Sequence, residues 1–236
     1  MRRSVLFLLL TALLSAQAVP EVEITAEPLH RLIFTNDQVR VFDVKIPPNS
    51  QTLMHWHRHD YIYVTIGDAT VITTVKDKAP VTLNVRDGDT LFVPGNFEHI
   101  TRDGGAKPFR NITIEILQDE KLRHSSVKWD EDRALKVLEG GTQEILWVKD
   151  GIRVSEFELQ PDAAIPSRSH SRPILLVAVG DLDLFTADPR THGGHELMPT
   201  PSHFSSGNVT WLPHGFGRPI VNAGTHNAKF VTLEFP

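Results

Sequence analysis

The chain has 236 residues, of which 40% are hydrophobic and 22% charged, and its formal net charge is -5. This composition is typical of a folded globular protein and excludes a disordered chain. The negative net charge and the lack of a long run of basic residues argue against a nucleic-acid partner.

The first residues have the pattern of an export signal. Arg2 and Arg3 precede a short apolar run, and an A-x-A cleavage site follows at 16–18. We expect residues 1–18 to be a signal peptide that is cleaved after Ala18, leaving a periplasmic or secreted protein with no membrane partner. Because the chain has no cysteine, the stability of the exported protein has to come from its core.

After the signal, the chain reads as short strands separated by turn residues. Turn signals recur roughly every ten residues, which favours an antiparallel sandwich or barrel. The predicted strands are Leu32–Phe34, Val39–Ile46, Tyr61–Ile66, Val71–Val75, Val81–Val85, Leu91–Val93 and Ile112–Leu117. A charged stretch, 119–142, interrupts the pattern. We interpret it as a linker, in which Trp129–Leu138 has room for one short helix.

The pattern then starts again, as an internal repeat. Residues 144–154 align with 31–41 at an offset of 113, and Gly207 and Pro213 correspond to Gly88 and Pro94 at an offset of 119. Self-similarity at this length indicates two copies of one domain. We place these domains at 19–118 and 143–236.

Three histidines mark the first copy. His55, His57 and His59 leave the same face of a predicted strand, since side chains alternate with a period of two. Neutral imidazole is the commonest metal ligand in proteins. His99, which follows a Pro-Gly turn, is the candidate for a further donor. His30 has no partner in the sequence, and we assign it no role.

The turn before His99 resembles the second motif of the cupin superfamily, G-x5-P-x-G-x2-H-x3-N. Gly88, Pro94 and His99 match it, whereas Asn96 replaces a glycine and Asp103 the asparagine.

The first cupin motif, G-x5-H-x-H-x3,4-E-x6-G, is also recognisable. His55, His57 and Gly67 match it. Asp60 lies seven residues before that glycine, where the family has its glutamate. Two residues instead of three or four separate Asp60 from His57, which is a departure from the pattern.

The resemblance covers roughly 30–118 and 143–236. It implies an all-β fold of two tandem double-stranded β-helix barrels, that is, a jelly-roll-like bicupin. It further implies one divalent transition metal (Fe, Mn, Ni, Cu or Zn) bound by His55, His57 and His99.

Two residues compete for the fourth position of this site. Asp60 is the best carboxylate candidate, although it can join the histidines only if a bulge interrupts the strand. His59 has the right parity but lies where the strand enters the barrel. Tyr61 and Tyr63 share the parity of the histidines and are candidates for the wall of a catalytic pocket, with core filling as the alternative.

The second copy lacks most of this constellation. The positions of His55, His57, His59, Asp60 and His99 are occupied by Arg168, His170, Arg172, Pro173 and Arg218. We therefore expect any chemistry to be confined to the first half.

The leading interpretation is an exported metal-dependent enzyme that acts on a small organic molecule. Oxygenase chemistry is the first choice, and an isomerase, lyase or decarboxylase is the second. The competing interpretation is a non-catalytic bicupin that binds a small molecule or a sugar, and a third is a structural or sensory protein with a vestigial site. A homodimer is compatible with each.

Overall fold

The structure is a computed structural model that describes residues 21–118, 129–166, 172–185, 191–192, 195–196, 201–216 and 218–236. The predicted signal peptide, Arg168 and His170 lie outside these residues. No helix in the described ranges is long and apolar enough to cross a membrane.

The first half contains ten strands and one 3-10 turn, Ile24–Ala26. The strands are β1 Glu21–Glu23, β2 His30–Thr35, β3 Val39–Ile46, β4 Met54–His57, β5 Tyr61–Thr65, β6 Ala69–Val75, β7 Val81–Val85, β8 Thr90–Val93, β9 Phe97–Asp103 and β10 Phe109–Ile116. They form two five-stranded sheets, one in the order β1-β4-β9-β6-β7 and the other in the order β2-β3-β10-β5-β8.

The second half contains the remaining strands of the described chain. They are β11 Ala134–Leu138, β12 Gly141–Lys149, β13 Ile152–Leu159, β14 Ala164–Ile165, β15 Ile174–Ala178, β16 Leu182–Phe185, β17 Thr191–His192, β18 His195–Glu196, β19 Ser202–Phe204, β20 Val209–Leu212, β21 Ile220–Asn222 and β22 Ala228–Glu234. Two sheets again form the body, β11-β12-β13-β22-β15-β20 and β14-β21-β16-β19, and β17 pairs with β18 separately. The predicted all-β class is confirmed.

The short helix considered for Trp129–Leu138 is wrong. Ala134–Leu138 is a strand that pairs antiparallel with β12. Gly140, at φ +74°, lets the chain turn back at once. Two apolar side chains of this edge strand point outward, with Leu135 67% and Val137 84% exposed, whereas Leu138 packs against the core of the second barrel. Hairpin pairing, rather than burial of an apolar face, therefore decides its structure.

The strands repeat with the offsets seen in the sequence. Strands β3 and β5 recur 113 residues later as β13 and β15, and β8 recurs 119 residues later as β20. A register shift between Leu32 and Phe34 is matched by one between Ile145 and Trp147. Both halves therefore share one strand plan, including its bulge.

One apolar core joins the two halves. Strands β5 and β10 of the first half alternate: Ile62 and Ile114 pack into the core shared with the second half, whereas Tyr61 and Asn111 face the interior of the first barrel. A sheet buried on both faces explains why this part of the sequence is so rich in apolar residues. The sheet that contains β5 and β10 therefore lines the first barrel with one face and packs against the second half with the other.

The interior of the second barrel is filled differently. Buried apolar side chains, among them Phe157, Leu176 and Phe230, form a core of its own. Phe157 and Phe230 stack with ring centroids 5.4 Å apart. In the described residues, this barrel therefore offers packing where the first barrel has histidines.

Candidate metal centre

Three of the predicted ligands meet inside the first barrel. His55 and His57 lie on β4, and His99 lies directly opposite His55 on β9. The Nε2 atom of His55 is 3.2 Å from Nε2 of His57 and 3.0 Å from Nε2 of His99. Tetrahedral ligands at about 2.0–2.1 Å from a metal have their nitrogens about 3.3 Å apart. The three nitrogens are thus spaced as ligands of one ion would be.

In His55 and His99, the other ring nitrogen faces a polar partner. Nδ1–H of His55 donates to the carbonyl oxygen of Leu53 at 2.9 Å. Nδ1 of His99 lies 3.2 Å from the hydroxyl oxygen of Thr73. A proton held on Nδ1 leaves the lone pair on Nε2, the tautomer that binds a metal here.

His30, to which the sequence assigned no role, belongs to the same cluster. One ring nitrogen each of His30, His55 and His57 lie within 4.8 Å of one another, close enough to hold a metal ion. The rings of His30 and His55 are tilted, with centroids 4.6 Å apart. His30 is 9% exposed and begins β2, so the second sheet contributes a ligand to the site.

A buried carboxylate positions His30. Nδ1 of His30 lies 2.6 Å from Oε2 of Glu27. Glu27 also accepts hydrogen bonds from the backbone N–H groups of Leu29 and Leu53. Burial alone would raise the pKa of Glu27, but these hydrogen bonds hold it below its ordinary value. Glu27 is therefore an ionised partner that fixes the ring of His30.

A second buried carboxylate lies behind His57. Oε1 of Glu115 is 3.9 Å from Nδ1 of His57, and neither atom has a hydrogen-bond partner among the described residues. Oε2 of Glu115 is bound by Arg40, at 2.7 Å from Nε. Burial raises the pKa of Glu115, although Arg40 opposes the rise. The carboxylate is thus poised to accept from the Nδ1–H of His57.

The electrostatic environment keeps these imidazoles neutral. Burial lowers the pKa of His55 to about 4, and nearby His30 adds to the effect. Burial followed by the neighbouring histidines also lowers the pKa values of His57 and His99. Neutral imidazoles with free lone pairs are the form that binds a divalent ion. The donor set therefore fits a transition metal.

Asp60 and His59 lie in the connection that follows the strand of His55 and His57. Strand β4 ends at His57 and β5 begins at Tyr61. Oδ1 of Asp60 accepts a hydrogen bond from the N–H of Gly95 at 2.8 Å. The fourth position considered for Asp60 or His59 stays a prediction, whereas a ring nitrogen of His30 lies close to those of His55 and His57.

The connection between β4 and β5 is attached to the Pro-Gly turn that precedes β9. Besides the Asp60 contact, the N–H of Asn96 donates to the carbonyl of His57 at 2.6 Å. A Cβ on Gly95 would lie 2.3 Å from the carbonyl carbon of His59, so only glycine fits. Asn96 takes φ +63°, a conformation that favours the motif's usual glycine and that asparagine tolerates.

The two tyrosines lie where parity placed them. Both line a cavity of about 210 Å³ that also reaches His30, His57 and His99. Tyr61 stacks on His57 with centroids 4.1 Å apart. Burial, with smaller effects from Tyr63 and Glu115, raises the pKa of Tyr61, so its phenol stays protonated. Tyr61 and Tyr63 are therefore pocket-wall residues next to the cluster.

The described part of the second half has no comparable cluster. Arg172, at the position of His59, stacks on Trp129 with its guanidinium carbon 4.2 Å from the ring centroid. Arg153 packs over the same ring at 4.0 Å. These arginines serve packing of the second barrel.

Comparison with known proteins supports this picture. Residues 33–118 match the family model described as cupin, whereas no curated protein sequence matches. Similar solved structures include AerE from Microcystis aeruginosa (12% identity, TM-score 0.57, 89% of this chain and 98% of that chain covered). The oxalate decarboxylases of Lactobacillus farciminis, in complex with formate, and of Bacillus subtilis are also similar. The first is 15% identical with a TM-score of 0.57, and the match covers 85% of this chain and 77% of that chain. The second is 12% identical with a TM-score of 0.57, and the match covers 84% of this chain and 68% of that chain.

At these identities the solved structures speak for the fold alone. The family match, the strand plan and the position of the histidines agree with one another. Residues 33–118, in the first half of the chain, therefore form a cupin domain.

Proposed function

We propose that the protein is an exported metal-dependent enzyme that acts on a small organic molecule. The observation that carries the proposal is the convergence of the Nε2 atoms of His55, His57 and His99, with Nε2 of His55 3.0–3.2 Å from the other two, beside a cavity in the first barrel. Export is supported by the N-terminal sequence pattern. Two of the similar structures are oxalate decarboxylases, which agrees with small-molecule chemistry on this fold.

His30 completes the proposed donor set. Its carboxylate partner Glu27 gives it the orientation that a ligand needs, and it approaches from the sheet opposite β4. Four imidazole ligands suit Fe, Mn, Ni, Cu or Zn. A bound ion of this kind would supply Lewis acidity or, for a redox-active metal, electron transfer.

The surrounding residues assign the remaining roles. Thr73 is within hydrogen-bond distance of the outer nitrogen of His99, and Glu115 faces the outer nitrogen of His57 at 3.9 Å. The stacked ring of Tyr61 restricts the tilt of His57. The apolar wall of the cavity excludes bulk water from the substrate. Oxygen-dependent oxidation is the first reaction to test, followed by isomerisation and by lyase or decarboxylase chemistry.

The first test is metal content. Protein purified from metal-supplemented cells should contain about one equivalent of a transition metal per chain, and less than about a tenth of an equivalent would refute the proposal. His57→Ala should lose the metal while keeping the fold by circular dichroism. His226→Ala, at an exposed histidine of the second half, is the matched control and should retain it.

A second test separates the enzyme from a binding module. Oxygen uptake by the metal-loaded protein is measured against small phenolic, thiol and carboxylic compounds. Turnover that His57→Ala abolishes supports the enzyme. Saturable binding without any turnover, in this screen and in a product screen for isomerisation and decarboxylation, favours the non-catalytic module.

A further inference from the structure

The cavity beside the histidine cluster has an uncharged wall. It lies between the two sheets of the first barrel, and side chains such as Val71, Leu83 and Phe109 make most of its surface. Among the described residues, no lysine, arginine, aspartate or glutamate lines it. Because a charge without a partner is costly in such a setting, the cavity discriminates against ions.

The charged residues behind the cavity wall are already paired with one another and are not available to bind a ligand. Arg40 lies behind His57, and its guanidinium is already bound to Glu115 at 2.7 Å. Asp43, on the same strand, is likewise neutralised, by Arg31 and Arg110. The two arginine–carboxylate pairings are complete, and they leave no cation on the cavity wall for an anionic group of a ligand.

Polar groups without partners do face the cavity. Tyr61 is 6% exposed and Asn111 is 8% exposed, and both line the cavity. Asn111 accepts the hydroxyl of Thr113 through Oδ1, but its Nδ2 makes no hydrogen bond in the described chain, and neither do the phenol oxygens of Tyr61 and Tyr63. These three groups can donate hydrogen bonds to an acceptor oxygen of a ligand in the cavity.

The size of the cavity restricts the ligand further. Its volume of about 210 Å³ is below the 300–1,000 Å³ or so of sites for drug-sized molecules, and corresponds to roughly seven water molecules. The space fits a compound of about one ring.

We propose that this cavity takes a small, mostly apolar molecule that is uncharged at neutral pH and presents oxygen acceptors to the Tyr61 and Tyr63 hydroxyls and the Asn111 amide. Without a bound metal, the uncharged wall excludes dianions such as oxalate. The inference rests on the proposed function in treating the ligand as the substrate, whereas its recognition rests on the wall residues alone.

The test is ligand-observed NMR titration of the mature protein, with phenol and with oxalate as probes. Both are measured on protein loaded with metal and on protein stripped by a chelator. We expect phenol to bind in both states, and oxalate to bind at least about tenfold more weakly than phenol to the stripped protein. The inference would be overturned if the stripped protein bound oxalate as tightly as phenol, or if phenol did not bind at millimolar concentration.

Substitutions in the cavity wall, with one control, locate the bound probe. Val85→Phe should fill the cavity from β7 and abolish phenol binding, whereas Val81→Phe, on the same strand but 53% exposed, should leave it unchanged. Leu83→Phe serves if the first variant does not fold. Tyr63→Phe removes one hydroxyl and should weaken phenol binding about fivefold. Phenol binding that is unchanged in all of the cavity variants would place the probe elsewhere and refute the assignment.

The design distinguishes this inference from the proposed function. If the purified protein contains no metal but phenol still binds in a way that Val85→Phe abolishes, the proposed function fails and the recognition of an uncharged ligand stands. If metal is present at full occupancy and phenol does not bind, the inference fails and the metal centre stands.

Discussion

Replacing Gly95 by alanine tests whether the Pro-Gly turn holds the site together. The added Cβ would lie 2.3 Å from the carbonyl carbon of His59 and 2.4 Å from its oxygen. Both are backbone atoms that cannot rotate away. The turn and the β4–β5 connection therefore have to separate by roughly 1 Å to reach an ordinary packing distance.

The expected cost follows from the contacts that this separation weakens. Overpacking typically costs about 1–3 kcal/mol. The bond from the Gly95 N–H to Asp60 and the bond from the Asn96 N–H to His57 are also lengthened, at about 1 kcal/mol each. We expect Gly95→Ala to lower the free energy of unfolding by about 3 kcal/mol. Because the movement displaces His57, metal affinity should fall by about 10–100-fold.

Urea unfolding of the metal-free protein and a metal-competition titration measure the two effects. Gly180→Ala is the control, since a Cβ there meets nothing within 4 Å, and it should change stability by less than about 0.5 kcal/mol. If Gly95→Ala unfolds and binds metal like the wild type, the turn does not position the ligands and the reasoning is wrong.

Three further predictions concern residues around the site. In the metal-free protein, the unfolded state binds a proton at His55 at a higher pH than the folded state does, because the folded-state pKa is lowered to about 4. The contribution of His55 to the free energy of unfolding should therefore be complete above pH 6.5 and fall by about 3 kcal/mol toward pH 4. Urea midpoints of the wild type and of His55→Gln measure this contribution, and equal pH slopes would contradict it. Arg40→Met leaves the Glu115 carboxylate buried without its cation and should cost about 3 kcal/mol at pH 8. The loss should shrink at pH 5, where the carboxyl takes up a proton, and a loss independent of pH would argue against an ionised Glu115. Asn96→Gly should stabilise the protein by up to about 1 kcal/mol in thermal unfolding, because φ is +63° there; a marked destabilisation would show that the asparagine side chain has another role.

Much of the fold follows from alternation in the sequence. The predicted strands Val39–Ile46 and Val81–Val85 have the same bounds in the structure, because a strand with one face in a barrel repeats with a period of two. The edge strand Ala134–Leu138 exposes Leu135 and Val137 and buries Lys136 in part, so its apolar pattern does not mark the face toward the core. Its conformation depends on pairing with β12.

The sequence predicted those histidines whose relative position depends on one strand or one turn. His55 and His57 share a strand face, and His99 follows a turn with recognisable spacing, which brings it opposite His55. His30 was missed because it enters from another sheet, and its only local trace is the carboxylate of Glu27 three residues earlier. The carboxylate of Asp60 lies at a motif position, but its hydrogen bond to Gly95 depends on a long-range approach that spacing does not reveal.

The core shared by the two halves has a consequence for how the molecule stays assembled. Apolar residues of both halves, such as Ile62 and Leu233, bury one another completely, and Trp147 donates across the boundary to Thr90 at 2.9 Å. A barrel that needed a separate subunit to cover this face would come apart on dilution. Here the partner is supplied by the same chain, so the pairing is intramolecular and independent of protein concentration. The second barrel thus acts as a covalently tethered subunit. It covers the apolar outer face of the first barrel, whose interior holds the cavity.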